Sequence, residues 1–228
     1  MPKVVKKAEQ AESTEVFKAK EQPRRKLTEI REDNLQQILD AAEDMFAERG
    51  FRGTTVASIA EAVKLPKANV LYYFKTKEGL YKAVINRLLT IWMENMNEMT
   101  SDMNPKEALT SYISTKVHQA KENPNASRIF AADILHGAHF LRAPLENELK
   151  DQFDRTCEVF KSWMDKGWID KANPEHLMFM FWSTTQAYAD HGLQMGILMK
   201  KEALEEQDYE QGIELLTQII LKGCGVKA

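Results

Sequence analysis

Apolar residues recur along most of the chain three or four positions apart, which is the spacing of one face of an α-helix. No stretch alternates apolar and polar residues as a half-buried β-strand does. The first clear stripe runs from Leu35 to Phe46 and predicts a helix that begins near Thr28 and ends at Gly50. The whole pattern predicts an all-α fold of about nine helices.

Two short helices and the start of a long one follow Gly50. Thr55 is the predicted N-cap of a helix whose apolar face runs from Val56 to Val63. A turn leads to a third helix over residues 67–74, since Pro66 suits the start of a helix but not its interior. Thr76 then caps a long fourth helix. Short helices joined by a tight turn are the pattern of a helix-turn-helix.

Longer helices fill the rest of the chain. Two of them open with an Asn-Pro pair, at Asn104 and Asn173, in which the asparagine caps the helix and the proline takes its first position. The remaining helices are predicted over 126–141, 145–166 and 208–222, and the helix at Asn173 is predicted to run to about residue 196. The change from short to long helices predicts a domain boundary near residue 80.

Basic charge is local rather than global. The net charge is −3, so the chain as a whole is not attracted to polyanions. Residues 63–82 nevertheless hold five lysines and one acidic residue, Glu78. A local basic patch of this kind is the usual footprint of a phosphate-binding face.

Composition also bears on the compartment. Cys157 and Cys224 are the only cysteines and form no CxxC pair, which favours a reducing environment. No apolar run approaches the roughly 18 residues of a membrane span, and the N-terminus lacks the apolar core of a signal peptide. We therefore expect a cytoplasmic protein whose polar tail, residues 1–27, is largely disordered.

The helix over 67–74 is the predicted recognition helix. Val70 and Phe74 are four residues apart and should face inward, which leaves the polar side chains outward. Asparagine reads adenine edges, lysine reads guanine or phosphate, and tyrosine hydroxyls donate to phosphates. A lysine at the start of the next helix gains from the free backbone amides there. The predicted DNA-binding residues are Thr55, Lys67, Asn69, Tyr72, Tyr73 and Lys77.

This region resembles a known family. Residues 46–84, "FAERGFRGTTVASIAEAVKLPKANVLYYFKTKEGLYKAV", are similar to the DNA-binding domain of TetR-type transcriptional regulators. The resemblance implies an all-α homodimer with an N-terminal helix-turn-helix and a C-terminal effector-binding and dimerisation domain. We assign residues 1–27 to the tail, 28–79 to the helix-turn-helix domain and 80–228 to the effector-binding and dimerisation domain.

The turn of the helix-turn-helix departs from the family pattern. Lys64 and Leu65 replace the usual Gly and Val, and Pro66 replaces the usual Ser or Thr cap. A lysine at a position suited to glycine carries up to about 1 kcal/mol of strain. Neither change removes a predicted DNA contact.

A second resemblance covers the C-terminal part. The segments "NPNASRIFAADILHGA" (123–138) and "LMFMFWSTTQAYADHG" (177–192) resemble the effector domain of the branch that contains the regulator of pyrimidine utilisation. On this resemblance, pyrimidines are the first candidates for the effector, among planar metabolites, although the resemblance does not itself make the ligand a pyrimidine.

The candidate ligand-binding residues are Trp92, Trp182 and Gln186. A site for a small planar ligand needs aromatic walls and one or two fixed amides. Trp182 and Gln186 are one turn apart on one helix face, and Trp92 lies on the long fourth helix. The alternative is that both tryptophans belong to the core and that Gln186 bonds a neighbouring carbonyl.

No catalytic, metal or cofactor site is predicted. Asp133, His136 and His139 lie close together, but a metal site in a helical bundle needs carboxylates and histidines from several helices. The chain contains no nucleophile elbow, P-loop or GxGxxG motif.

The last two helices offer a dimer face. Its predicted residues share the apolar stripes of these helices, with intrachain packing as the alternative: Leu177, Met180, Phe181, Thr184, Ile213, Leu216, Ile219 and Ile220.

The sequence therefore predicts a ligand-responsive transcriptional regulator, a repressor that binds a palindromic DNA operator as a dimer and is released or modulated by a small metabolite. The alternatives are an all-α enzyme and a DNA-binding protein without an effector. The first would need catalytic residues that the chain does not offer, and the tryptophan- and methionine-rich C-terminal half argues against the second.

Overall fold

The computed structural model describes residues 5–97 and 99–226, with side chains for 29–94 and 99–226. These residues contain helices and turns but no β-strand, as predicted. The eleven helices of the described residues are α1 Val5–Gly53, α2 Val56–Ala62, α3 Lys67–Phe74, α4 Lys77–Asn97, α5 Pro105–Glu122, α6 Pro124–Leu135, α7 Arg142–Glu146, α8 Glu148–Asp165, α9 Pro174–Asp190, α10 Gly192–Leu198 and α11 Glu206–Gly223.

Helix α1 is longer than predicted at its start. Its backbone is helical from Val5, whereas the sequence predicted a largely disordered tail over 1–27, of which residues 1–4 lie outside the described part. Lysine, glutamate, glutamine and alanine dominate this segment and favour a helix. The break predicted at Gly50 is confirmed, because its backbone is not helical (φ 67°, ψ 173°).

The chain divides into two compact units. Unit 1 contains residues 1–42 and 55–80, and unit 2 contains residues 43–54 and 81–228. Residues 43–54, which include the C-terminal end of α1, are grouped with unit 2, and the other boundary between the units follows Leu80.

Unit 1 is held by apolar side chains from each of its helices. Ile38, Ile59, Val70 and Leu80 are essentially inaccessible to solvent. Each lies on the predicted apolar face of its helix, so the periodicity of the sequence accounts for the interior of this unit.

Local signals set the helix ends in unit 1. The Thr55 hydroxyl accepts a hydrogen bond from the Ser58 amide, and the Ser58 side chain accepts one from the Thr55 amide, which forms a capping box. At the other end of α2, Lys64 has the left-handed φ of 55° expected for a position suited to glycine. The predicted cap at Thr76 is confirmed by its hydrogen bond from the Gly79 amide, at 2.9 Å.

Unit 2 has its own core between α5, α8, α9 and α11. Its largest fully buried side chains are Trp163, Phe160, Phe181 and Met178. Asn104 and Asn173 cap α5 and α9 through their side-chain oxygens, and a proline occupies the first turn of each helix, as predicted. No helix of the described residues is both long and apolar enough to cross a membrane.

Two breaks in unit 2 were not predicted. Helix α6 ends at Leu135 rather than near 141, because Gly137 and Ala138 adopt positive φ (95° and 55°). The buried Asp133 carboxylate fixes this turn by accepting hydrogen bonds from the amides of Phe140 and Leu141, at 3.1 and 2.9 Å. The helix predicted from Asn173 to about 196 is interrupted at His191, where α10 begins.

An aromatic cluster lies within unit 2 where α1, α4 and the turn after α6 meet. Phe140 packs against Phe51 and Tyr81, with ring centroids 4.8 and 4.7 Å apart, and Tyr81 packs edge-on against Phe46 at 4.8 Å. Burial, together with the nearby Asp133 carboxylate, raises the pKa of Tyr81 to about 12, so its hydroxyl stays protonated at neutral pH.

Candidate DNA interface and effector site

Helix α3 presents a polar surface. Lys67 and Asn69 are exposed, and Tyr72 is 64% exposed, while Val70 is 1% exposed. Tyr73 and Phe74 are half-buried. The predicted orientation of this helix is therefore observed, with Val70 as its anchor and the lysine, the asparagine and Tyr72 facing outward.

Two cations that the sequence analysis did not assign to this surface lie against its tyrosines. The Arg31 guanidinium is 6.0 Å from the centre of the Tyr73 ring. Lys75 donates to the Tyr72 carbonyl oxygen at 3.0 Å, and its ammonium lies 5.4 Å from the Tyr72 ring. Arg31 is distant from α3 in the sequence, so no local pattern indicated its contact with Tyr73. Lys75 lies in the basic run at 75–77, which the sequence shows directly.

The other predicted DNA-binding residues lie at helix starts. Thr55 is exposed but its hydroxyl is engaged in the capping box of α2. Lys77 begins α4 and is half-buried. Both are therefore placed at the N-terminus of a helix, where backbone amides favour a phosphate.

Trp92 lies beside a buried lysine. Its ring packs edge-on against Phe130 of α6, with centroids 5.1 Å apart. The Lys116 ammonium of α5 lies 4.8 Å from the centre of the Trp92 ring, and only 8% of this lysine is exposed. Burial lowers the pKa of Lys116 to about 8, because the charged form loses its hydration.

Trp182 occupies a different aromatic cluster. Its indole N–H donates to the Tyr112 hydroxyl at 3.1 Å, and its ring packs against Phe153 and Phe179, with centroids 5.6 and 6.1 Å apart. Burial raises the pKa of the fully buried Tyr112. Trp182 is thus fixed by a hydrogen bond and two rings, which agrees in part with the alternative that it belongs to the core.

Two hydrogen bonds set the direction of α9 along α5. Trp182 bonds Tyr112 near the middle of α5, and Asp190 at the end of α9 accepts from Ser127, which lies just beyond the end of α5. The two helices therefore run parallel. Gln186 follows Trp182 by one turn of α9, and Lys116 follows Tyr112 by one turn of α5.

The structure thus places Trp92 against the buried Lys116, while Trp182 bonds Tyr112, one turn before Lys116 on α5. The sequence analysis missed Tyr112, Lys116 and Phe130. A lysine between the buried Ile113 and Val117 was the available signal, because a solvated lysine would lie on the opposite face of the helix.

Two surface cavities lie elsewhere. A groove of about 610 Å³ is lined by residues of α5 and α11 that include Thr110, Glu210 and Gln218. A smaller cavity of about 250 Å³ is lined by Asn104, Trp168 and other residues. The groove lacks aromatic walls, so its lining does not fit the predicted planar ligand.

A cluster of ionisable groups joins α5 and α11. His118, Glu206 and Glu210 place one potential ligand atom each within 4.8 Å of one another. His118 Nε2 lies 3.1 Å from a Glu210 carboxylate oxygen and Lys121 pairs with Glu206, so both carboxylates already have a partner. The Asp133 carboxylate, considered above as part of a metal site, accepts hydrogen bonds from two backbone amides.

The predicted dimer face needs correction. Phe181, Ile213 and Ile220 are buried within unit 2, because each points into the core between α5, α9 and α11. Four apolar side chains of α9 and α11 remain exposed instead, and we refer to them as the seam: Phe179 at 51%, Met180 at 37%, Leu215 at 55% and Ile219 at 56%.

The two helices of the seam are neighbours. The Tyr188 ring of α9 lies 5.9 Å from the Tyr209 ring of α11, and the Tyr188 hydroxyl lies where a side chain at Gly212 would begin. Helix α11 runs antiparallel to α5 through the contacts of His118 with Glu210 and Lys121 with Glu206, so α9 and α11 are antiparallel.

Comparison with known proteins identifies the family of the chain. The family model described as bacterial regulatory proteins of the tetR family matches residues 38–84. The model described as the C-terminal region of YcdC-like proteins matches residues 85–227. Together these two matches cover the helix-turn-helix and nearly all of the chain that follows it.

Similar proteins agree with the family models. The HTH-type transcriptional regulator RutR of Escherichia coli K12 is 36% identical over 186 residues, which are 82% of this chain and 88% of RutR. The negative transcriptional regulator IcaR of the icaADBC biofilm operon in Staphylococcus epidermidis is 22% identical, over 75% of this chain and 93% of IcaR.

A solved structure shows the same fold. AibR, solved in complex with isovaleryl coenzyme A and operator DNA, superposes with a TM-score of 0.63 at 20% identity, over 82% of this chain and 97% of AibR. The similarity to RutR confirms the branch predicted from the sequence. The chain belongs to the TetR family of bacterial helix-turn-helix transcriptional regulators.

Proposed function

We propose that this protein is a repressor that binds a palindromic operator as a homodimer and releases it when a small planar metabolite binds unit 2. The observation that carries the DNA-binding part is the polar face of α3, where Lys67, Asn69 and Tyr72 are exposed above the buried Val70. A recognition helix with this division between anchor and contact residues fits the major groove.

We assign six DNA-contacting residues to this surface by chemistry. Asn69 is the base reader, and Lys67 reads guanine or a phosphate. Tyr72 and Tyr73 donate to phosphates, while Thr55 and Lys77 lie at helix starts where phosphates bind. The operator bound by AibR and the name of IcaR as a negative regulator support this part of the proposal.

The effector site in this proposal lies between α4, α5, α6 and α9. Trp92 and Phe130 supply aromatic surface, and Gln186 supplies an amide that pairs with an imide or lactam edge. Pyrimidine bases are the first candidates because of the resemblance stated above. Trp182 supports this site through Tyr112.

Helix α4 is the proposed link between effector and operator. It supplies residues up to Leu80 to unit 1 and the residues from Tyr81 to unit 2, and it carries Trp92. A ligand that displaces Trp92 would move α4 and thereby change the separation of the two recognition helices in the dimer.

The proposed dimer pairs the seam with its symmetry mate in a four-helix bundle. Four exposed apolar side chains lie on two neighbouring antiparallel helices, and a second copy would cover them. Palindromic operators are read by symmetric dimers, so this pairing and the operator model depend on each other.

The domain division and the compartment complete the proposal. Residues 28–79 act as the helix-turn-helix domain and 80–228 as the effector-binding and dimerisation domain, in the cytoplasm. An enzymatic role is the competing function. Burial raises the pKa of the Cys157 thiol to about 11, so this thiol is protonated at neutral pH and is a poor nucleophile.

Gln186→Leu tests the effector half of the proposal. The variant should lose the response to effector, because an unpaired amide edge on the ligand costs about 1–3 kcal/mol of binding free energy. Its operator affinity without effector should stay within about twofold of the wild type. Gln194→Leu, at an exposed position of α10, is the matched control and should respond normally. Unchanged effector affinity in Gln186→Leu would show that the glutamine is structural.

A further inference from the structure

Lys116 is an unusual residue for its position. It lies on the buried face of α5, between Ile113 and Val117, and is 8% exposed. A methionine or leucine would fill this position without the cost of removing an ammonium group from water. A lysine at such a place therefore points to a negative partner.

The protein itself does not supply that partner within the described residues. The Lys116 ammonium lies against the Trp92 ring, 4.8 Å away. Burial lowers its pKa, and among the side chains that the structure describes no carboxylate compensates for the lost hydration. The group that lies against the ammonium, the Trp92 ring of α4, carries no charge.

A second polar group near Lys116 also lacks a partner. The side-chain oxygen of Gln119 is buried and accepts no hydrogen bond within the described part of the chain. Gln119 lies three residues after Lys116 and seven after Tyr112, so all three side chains share one face of α5. Buried polar groups are almost always hydrogen-bonded. A buried acceptor and a buried ammonium that both lack a partner therefore indicate a ligand with one hydrogen-bond donor and one anionic acceptor.

We propose that the effector of this regulator is a planar ring that carries a carboxylate. The carboxylate accepts hydrogen bonds from the Lys116 ammonium, the ring lies against Trp92, and a ring N–H donates to the Gln119 side-chain oxygen. This inference rests on the proposed function and gives its effector a charge, which the resemblance to other regulators does not.

The same contacts give the site its selectivity. A neutral ring of the same shape would leave the lysine charge buried without a counter-ion, whereas the carboxylate pairs with it in a charge-assisted hydrogen bond. The site therefore rejects the neutral analogue by leaving the lysine unpaired, rather than by shape.

The test uses two pairs of compounds that differ in the carboxylate. Orotate is uracil with a carboxylate on the ring, and benzoate and benzamide form a second pair. We expect titration calorimetry at pH 7 to show that the wild-type protein binds at least one carboxylate about tenfold or more tightly than its neutral partner. Lys116→Met should lose that preference, and Lys106→Met, at an exposed lysine of the same helix, should keep it.

The outcomes separate this inference from the proposed function. The inference is overturned if the wild type binds the neutral partners at least as tightly as the carboxylates, or if it binds neither carboxylate. These outcomes do not depend on whether Lys116→Met folds. A preference that survives in a folded Lys116→Met also overturns it. Operator binding is measured on the same preparations: if the operator is released by neutral uracil more readily than by orotate, the inference fails while the regulator function stands. If the protein binds a carboxylate in the predicted way but binds no operator, the ligand inference stands and the proposed regulator function fails.

Discussion

Replacing Ile219 with glutamate should split the proposed dimer. Ile219 is 56% exposed in the single chain and lies at the seam with Leu215 and Met180. In a symmetric dimer the change occurs twice, because the same face is used by both subunits. The substitution therefore tests the seam at its most exposed side chain.

The expected magnitude follows from the exposed fraction. Complete burial of an isoleucine stabilises by about 1.5–3 kcal/mol, so covering the remaining half contributes about 1 kcal/mol per subunit and about 2 kcal/mol per dimer. A buried carboxylate without a partner adds a cost of at least about 1 kcal/mol per subunit. The sum, about 4 kcal/mol, corresponds to a dissociation constant about a thousandfold higher.

Sedimentation equilibrium from nanomolar to micromolar protein measures this change. Leu135→Glu is the matched control, because Leu135 is 84% exposed at the end of α6 and lies outside the seam. We expect the control to remain a dimer. If Ile219→Glu dimerises as tightly as the wild type, or if Leu135→Glu dissociates to the same extent, the seam is not the dimer interface.

Three further predictions concern other parts of the molecule. Asn69→Ala should reduce the free energy of operator binding by about 1–3 kcal/mol, mainly at one base pair. Lys77→Ala should weaken binding to all DNA sequences about equally and lower the salt dependence by roughly one charge. Mobility-shift titrations at several salt concentrations measure both effects. Asp133→Ala leaves two buried amides without an acceptor and should lower the free energy of unfolding by about 2–5 kcal/mol in urea titrations, while Asp133→Asn, which keeps an oxygen there, should lose less. The pKa of Lys116 is about 8 in the folded state, against an ordinary value of 10.5, so the unfolded chain binds more protons between these pH values. The free energy of unfolding of the wild type should therefore rise relative to that of Lys116→Met as pH increases from 8 to 10.5. A difference that does not change with pH would refute the burial of the charge.

Local signals in the sequence predicted most helix starts. Thr55, Asn104 and Asn173 cap their helices with side-chain oxygens a few residues from the amides that they bind, so neighbouring residues are sufficient to identify them. The left-handed backbone of Lys64 agrees with the expectation, taken from the family resemblance, that this position suits glycine.

Features that depend on distant residues were not predicted. The end of α6 depends on the Asp133 carboxylate, which binds amides seven and eight residues later, and this interaction leaves no periodic pattern. Helical spacing placed Ile213, Ile219 and Ile220 on one apolar stripe, but only the packing of α11 against its neighbours determines that Ile219 stays exposed.

The same limit applies to the residues of the proposed effector site, which stay predictions. Trp92 and Gln186 were chosen by residue type, and the structure places Trp92 against Lys116 of α5. Lys116 was missed because a lysine on a helix is ordinarily solvated, and its burial depends on the positions of α4 and α9. Trp182 was assigned to the site from its position one turn before Gln186, but its N–H is satisfied by Tyr112.

The central claim is that this protein is an operator-binding repressor, and a footprint on the DNA upstream of its own gene tests it most directly. We predict that the wild-type dimer protects a palindromic site at physiological salt, that Asn69→Ala loses this protection, and that an effector which binds unit 2 releases the DNA. If the wild type protects no specific site there or in a genome-wide selection of bound fragments, the account is contradicted.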